Sequence, residues 1–189
     1  MNAMSKIASA LVNGVPVDDV RALIAAVTAD PAAGKTRWRV ANTWQGRFGS
    51  RARVDGFEIG GQSVVRPFAM DVDEPLELGG TNLHANPQEY LLAALNACMT
   101  VGFTALCALH GYEIEALEIV SEGDIDLRAF LCIDPAVTPG YERLATTVTV
   151  KGSATAEQFQ AIFDMVLASS PNFHNISRPV EIAPKLIVA

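Results

Sequence analysis

Positive charge and cysteine are both scarce in this chain of 189 residues. The 14 Lys and Arg residues are outnumbered by 21 Asp and Glu residues, so we expect no basic surface for nucleic acid or anionic lipid. Three cysteines, an odd number, do not make a disulfide framework. The N-terminal residues lack the basic, apolar and cleavage regions of an export signal, which predicts a cytoplasmic protein.

The sequence also lacks the short motifs that hold nucleotides, metals and many catalytic groups. It has no P-loop, no Gly-x-Gly-x-x-Gly fingerprint, no Cys-x-x-Cys and no His-Glu-x-x-His. The histidines His84, His110 and His174 show no metal-ligand spacing to the cysteines. A Gly-x-Ser-x-Gly elbow is missing too, which argues against a Ser-His-Asp hydrolase. We therefore expect neither a metal nor a cofactor.

One long stretch has no Asp, Glu, Lys or Arg, and it runs from Tyr90 to Tyr112. Asn86 before it is a suitable N-cap, Glu89 completes a capping box, and Gly111 suits the left-handed residue after a helix. A helix with apolar residues on every side is either enclosed by protein or spans a bilayer. Because the flanks lack the Lys/Arg asymmetry that orients membrane spans, we expect a central helix enclosed by protein and no membrane contact.

The rest of the pattern alternates strands with helices. A helix beginning near Val15 and ending at Asp30 precedes a run of strands, and a helix with a Thr-x-x-Gln capping box follows the central one. Expected strands cover 36–45, 51–59, 63–70, 113–127, 144–151 and 179–188. Strands joined by hairpins predict a mostly antiparallel α+β fold. We assign 1–35 to an N-terminal helical extension that covers part of the sheet, and 36–189 to the main domain.

The three cysteines differ in what they could do. Cys98 lies near the middle of the central helix, where most cysteines are small buried hydrophobes and a minority are reactive. Cys107 follows nine residues later. Nine residues rise about 13.5 Å and turn about 180°, so no disulfide joins the two inside an intact helix. Cys132 falls at a strand end or in a loop, where a structural role is the simpler interpretation.

The stretch Asn-Pro-Gln-Glu-Tyr-Leu-Leu-Ala-Ala-Leu-Asn-Ala-Cys, which ends at Cys98, resembles the OsmC/Ohr superfamily of cysteine-based organic hydroperoxide reductases. Gly80-Thr81 and the Gly46-Arg47-x-Gly49 turn are similar to family features as well. The resemblance covers residues 36–189. It implies an OsmC-like fold in which antiparallel sheets wrap around long central helices, in an intertwined homodimer with its sites at the interface.

The resemblance also implies roles for particular residues. Cys98 matches the peroxidatic cysteine, whose thiolate attacks the peroxide and becomes a sulfenic acid. Arg47 matches the arginine that stabilises the thiolate and holds the reacting oxygens, and Arg51 is the second choice. The family's orienting carboxylate directly follows the proline. Here Gln88 occupies that position and Glu89 carries the acid, so Glu89 is either the orienting carboxylate or a helix cap.

The family's second, resolving cysteine is absent, and Ser170 occupies its place. A serine cannot form the disulfide that a dithiol reductant then reduces. Ser170, Asn172 and His174 either line the substrate cleft, together with Gln88, or simply stop a helix.

Three functions remain open. The first is a thiol peroxidase for organic hydroperoxides, resolved by an external thiol reductant or by Cys132. The second is a non-enzymatic protein that binds a small apolar ligand or uses Cys98 as a one-shot thiol sensor. The third is hydrolysis or isomerisation by Cys98 with His174, which requires the imidazole within hydrogen-bond reach of the sulfur.

Overall fold

The computed structural model of the protein describes residues 10–188. Its internal contacts divide the chain into two units, Met1–Leu91 and Leu92–Ala189. Each unit has its own antiparallel sheet, so the expected α+β class is confirmed. The expectation for the first nine residues lies outside the described part of the chain.

The first unit begins with a small hairpin and a helix. Strands β1 (Leu11–Val12) and β2 (Val15–Pro16) flank an Asn-Gly turn in which both residues have positive φ, 56° and 75°. Helix α1 (Val17–Ala29) follows, with two aspartates in its first turn that favour the helix dipole. The next residue, Asp30, ends α1 and accepts the N–H of Ala32, which caps a 3-10 turn at Pro31–Gly34.

The sheet of the first unit is built around one central strand. It contains β3 (Thr36–Trp38), β4 (Ala41–Gly46), β5 (Gly49–Ile59) and β6 (Gln62–Val72), and β5 pairs with the other three. The sequence predicts one strand at 36–45, which is wrong in one respect. The structure has two strands there, β3 and β4, separated by residues 39 and 40. The interruption lies opposite the register shift between Val54 and Gly56 in the β5–β6 pair, where the sheet bends.

The long uncharged helix is present as expected. Helix α2 (Pro87–His110) begins with a reciprocal cap, in which Asn86 N–H donates to Glu89 Oε2 at 2.8 Å and Glu89 N–H donates to Asn86 Oδ1 at 2.9 Å. It ends at Gly111, whose φ is 76°, and Tyr112 N–H donates to Cys107 O at 2.8 Å. By length and composition alone α2 could cross a membrane, a test that core helices also pass.

The second unit packs α2 against a two-stranded sheet and a second helix. After α2 come β7 (Ile114–Glu122), α3 (Leu127–Phe130), β8 (Ala145–Gly152), α4 (Ala156–Ser169) and α5 (Pro171–Ser177). The core consists of one face of α2 and one face of α4. Its buried residues are Leu95, Met99, Phe103, Cys107, Phe159, Ile162 and Val166. A Cβ added at Gly102 would lie 3.7 Å from the Val166 methyl groups, in ordinary contact, so the two helices approach closely here.

Two further expectations from the sequence are wrong, and one is incomplete. The strand expected at 113–127 ends at Glu122, because the Asp126 carboxylate caps α3 by accepting Arg128 N–H at 2.9 Å. The segment after α4 is not only a stop, since Ser170 caps the unexpected helix α5. Residues 179–188 form no strand in the described chain. Their alternation suits a strand, but a strand needs a neighbour for its backbone hydrogen bonds.

Candidate functional site

The sulfur of Cys98 is hydrogen-bonded by a side chain 72 residues away in the sequence. Ser170 Oγ donates to Cys98 Sγ at 3.3 Å. Ser170 is buried, with 5% of its surface exposed, whereas Cys98 is half-buried. The serine that stands where the resemblance expects a second cysteine therefore touches the candidate nucleophile.

Two helix ends hold Ser170 in place. Its N–H donates to Val166 O at 2.8 Å and so closes α4, while its carbonyl accepts His174 N–H at 3.0 Å in α5. Its hydroxyl oxygen accepts Phe173 N–H at 3.4 Å as the N-cap of α5. Because a hydroxyl has one hydrogen, and the cap uses an oxygen lone pair, that hydrogen is available to the Cys98 sulfur.

The neighbouring asparagine fastens α5 to the turn of α2 that carries the thiol. Asn172 Nδ2 donates to Ala94 O at 2.8 Å, and Ala94 lies one turn before Cys98. His174 is exposed in the last turn of α5. Over residues 10–188 the hydrogen-bond partner of the Cys98 sulfur is Ser170 rather than His174, which does not give the pairing that a Cys–His hydrolase requires.

The other two cysteines have different surroundings. Cys107 is fully buried in the α2–α4 core, and this burial raises the pKa of its thiol to about 11. Cys132 is exposed in the turn after α3, with a positive φ of 56°. Within the described residues no three His, Cys, Asp or Glu side chains are grouped to hold a metal ion.

Arg47 lies in the first unit, in the turn between β4 and β5. Its φ of 49° is in the left-handed region, which is uncommon for a residue with a side chain. Trp44 Nε1–H donates to Arg47 O at 2.9 Å, and the exposed Arg47 guanidinium donates to Gly79 O at 3.3 Å. Arg51, the second choice, is instead paired with the Asp71 carboxylate at 3.1 Å. The guanidinium of Arg47 contacts a carbonyl and that of Arg51 a carboxylate.

The two candidates in the first turn of α2 also belong to the first unit. One Glu89 carboxylate oxygen accepts the Asn86 N–H, so this side chain serves as the helix cap. Gln88 is exposed. The catalytic role of Glu89 and the substrate role of Gln88 stay predictions.

The loop that leads to α2 is organised by a carboxylate that the sequence did not single out. Asp73 is buried and accepts the Thr81 N–H at 2.9 Å, the Thr81 hydroxyl, and the Leu83 N–H at 3.3 Å. These hydrogen bonds, that of the Thr81 hydroxyl first, hold the pKa of Asp73 well below its usual range. Gly80 beside it has no room for a side chain, since an added Cβ would lie 1.7 Å from Glu74 O. The resemblance singled out Gly80-Thr81, but nothing in the sequence pointed to Asp73 as the acceptor of the Thr81 hydrogen bonds.

A second polar network went unnoticed in the sequence and lies close to Cys98. Asn96 Nδ2 donates to Ile119 O at 3.1 Å, and Ser121 Oγ donates to Asn96 Oδ1 at 2.6 Å. These bonds fix α2 against β7 two residues before the thiol. Together with Asn172, they hold the Cys98 turn from two sides.

The family model and two of the solved structures that match this chain carry the same family description. Residues 80–185, more than half of the chain, match the model of the family described as OsmC-like protein. A solved OsmC-like protein from Mycoplasma pneumoniae aligns over 75% of this chain and 87% of its own, with 13% identity and a TM-score of 0.58. An OsmC-like protein of unknown function from Vibrio cholerae aligns over 72% and 91%, with 13% identity and a TM-score of 0.54. No curated protein matches the sequence.

Proposed function

The chain belongs to the OsmC-like protein family, and we propose that it is a redox protein that reduces organic hydroperoxides through Cys98. The observation that supports this proposal most is the bond from the buried Ser170 hydroxyl to the half-buried Cys98 sulfur. Of the three thiols, Cys107 is sealed in the core and Cys132 is exposed in a turn. Cys98 alone among them combines partial access with a polar partner built from two helix ends.

The proposed chemistry begins with attack of the Cys98 thiolate on the outer oxygen of the hydroperoxide. The S–O bond forms as the O–O bond breaks, so sulfur is oxidised to a sulfenic acid and the hydroperoxide is reduced. The leaving alkoxide takes a proton and departs as the alcohol. The Ser170 hydroxyl donates a hydrogen bond to this sulfur and so holds it in one position for the attack.

Arg47 is the proposed partner for the reacting oxygens. Its left-handed backbone and its bond to Gly79 O hold the guanidinium at a defined place on the first unit. A guanidinium offers several parallel N–H donors to oxygen atoms that gain charge as the O–O bond breaks. Gln88 and His174, both exposed, stay proposed substrate contacts.

We expect the working form to be a homodimer. Trp44, Phe68 and Met70 lie on one face of the first unit's sheet. Their partners on β5 are alternate residues of that strand: Ser50 for Trp44, Val54 for Phe68 and Ala52 for Met70. Trp44 is 74% exposed and Phe68 is 53% exposed. Exposed apolar surface of this kind usually meets a partner, and a second copy of the chain is the partner that the resemblance implies.

The proposal is tested by following consumption of cumene hydroperoxide with a thiol reductant in excess. We expect Cys98→Ser to abolish turnover, because serine is not a nucleophile towards peroxide oxygen under these conditions. Cys132→Ser is the matched control, since it makes the same change at an exposed thiol, and it should retain turnover. Full activity in Cys98→Ser would contradict the proposal.

A second candidate function is a thiol sensor that is oxidised once. The missing second thiol beside Cys98 favours it, because a sensor needs no built-in route back to the reduced state. The same assay separates the two functions. An enzyme consumes many equivalents of hydroperoxide per protomer, whereas a sensor consumes one and then stops.

A further inference from the structure

The contact between Ser170 and Cys98 bears on how the oxidised thiol is restored. A resolving cysteine must reach the sulfenic sulfur closely enough to form an S–S bond of about 2.05 Å. Ser170 Oγ already lies 3.3 Å from Cys98 Sγ, and its position is set by the ends of α4 and α5. The site of a resolving thiol is therefore formed in this fold, but a hydroxyl occupies it.

Neither remaining cysteine stands where Ser170 does, beside the Cys98 sulfur. Cys107 is on the same helix as Cys98, about 13.5 Å further along its axis, and its buried thiol stays protonated at neutral pH. Cys132 is exposed, and its sulfur approaches Phe130 O at 3.9 Å. Ser170 is also 95% buried beside the sulfur, so it occupies the inner side of the thiol.

We propose, on the basis of the peroxidase function above, that this protein is a one-cysteine reductase whose Cys98 sulfenic acid is reduced by a small monothiol from solution. The first monothiol condenses with the sulfenic acid, which forms a mixed disulfide and releases water. A second monothiol attacks that disulfide, which frees the Cys98 thiol and leaves an external disulfide. In sum, one hydroperoxide and two monothiols give one alcohol, one water and one external disulfide.

Ser170 has two effects in this scheme. Its hydroxyl keeps the sulfur of Cys98 in place without trapping it, because an alcohol does not condense with a sulfenic acid as a thiol does. It also leaves the sulfenic acid open to a solution thiol on the side that Cys98 exposes. Replacing this one atom of oxygen by sulfur should therefore change the class of reductant that the protein uses.

The first experiment uses the unaltered protein, so it does not depend on any variant folding. The reduced protein receives one equivalent of cumene hydroperoxide without reductant, and its intact mass is measured with and without dimedone. We expect a gain of one oxygen atom, and a dimedone adduct on Cys98. A loss of two hydrogen atoms with a Cys98–Cys132 disulfide, within or between chains, would overturn the one-cysteine scheme. No oxidation of Cys98 at all would instead count against the peroxidase function.

The second experiment compares Ser170→Cys with Ser169→Cys. Ser169 is the adjacent residue, but it is exposed and its hydroxyl donates to Met165 O at 2.7 Å, so it is a matched control. After hydroperoxide treatment, Ser170→Cys should lose two hydrogen atoms and resist dimedone, while Ser169→Cys should behave like the unaltered protein. Turnover supported by 2-mercaptoethanol should fall about tenfold in Ser170→Cys, and dithiothreitol should restore it.

Two outcomes would refute the one-cysteine scheme, one from Ser170→Cys and one from the unaltered protein. If Ser170→Cys folds, as judged by circular dichroism, and still gives the dimedone adduct, position 170 is not a resolving position. If the unaltered protein turns over with dithiothreitol but not with 2-mercaptoethanol at any concentration, its reductant is not a monothiol. Either result is compatible with the peroxidase function. The one-cysteine scheme can therefore be refuted while the peroxidase function is not.

Discussion

Arg47 keeps a backbone conformation that an L residue adopts only at a cost of about 1–2 kcal/mol. Its φ of 49° recurs in glycine at hairpin turns, yet here the turn carries a long cation whose guanidinium contacts Gly79 O. Strain of this kind persists where the surrounding structure maintains it, and it is common at functional sites. The residue is therefore the best candidate in the first unit for a role beyond the fold.

The role of Arg47 can be tested by two substitutions. We expect Arg47→Ala to lower kcat/KM for cumene hydroperoxide about a hundredfold, because it removes donors to the oxygens of the breaking bond. Arg51→Ala, which breaks an exposed pair with Asp71, should change kcat/KM little. The reverse ranking, measured in the same assay, would move the role to Arg51.

The sequence pointed to individual residues but not to their contacts. The resemblance of the helix that begins at Asn-Pro singled out Cys98, and the second cysteine expected from that resemblance singled out Ser170. The 3.3 Å approach between them could not be predicted, because it depends on the packing of α4 against α2. Asp73 was missed for a similar reason, since its partners Thr81 and Leu83 become visible only when the loop is folded.

Among the elements, α2 was the easiest to predict and α5 the hardest. Both ends of α2 carry strong local signals, and its reciprocal cap and glycine end are present as expected. Helix α5 has only seven residues, and Ser170-Pro171-Asn172 suits a turn as well as a helix start. The strand expected at 179–188 was wrong for another reason. Alternating apolar and polar residues do not show whether a neighbouring strand is available to pair with.

The cap of α2 gives a prediction about Glu89. We expect Asn86→Ala to lower the free energy of unfolding by about 1 kcal/mol, since it removes the acceptor of the Glu89 N–H. Glu89→Gln should be nearly neutral for stability, because an amide oxygen can accept the Asn86 N–H, so its effect on turnover reports on the predicted catalytic role alone. Urea unfolding and the hydroperoxide assay measure the two effects. A large loss of turnover in Glu89→Gln at unchanged stability would show that the carboxylate, and not the cap, is what the reaction needs.

Helix α2 has an uncharged face that is exposed to solvent. Ala93, Ala97 and Val101 follow one another at four-residue spacing on α2, and each is exposed, Val101 by 69%. Cys98 follows directly after the middle one of the three. A long central helix with this face open is what the proposed homodimer would cover with a second copy.

Assembly can be tested on that face. We expect light scattering to give the mass of two chains for the unaltered protein. Val101→Glu should weaken the dimer at least about a hundredfold, because it would bury an unpaired carboxylate. Ala161→Glu, at an exposed position on α4, is the matched control and should remain a dimer. A monomeric unaltered protein, or equal effects of both substitutions, would contradict this interface.

Every step proposed for this protein requires Cys98 to be the sulfur that a hydroperoxide oxidises. The most direct measurement is peptide mapping by mass spectrometry after one equivalent of cumene hydroperoxide in the presence of dimedone. We expect one adduct, on the peptide that contains Cys98, and one equivalent of the corresponding alcohol. Hydroperoxide that remains unconsumed, or an adduct found on Cys132 while Cys98 stays reduced, would contradict it.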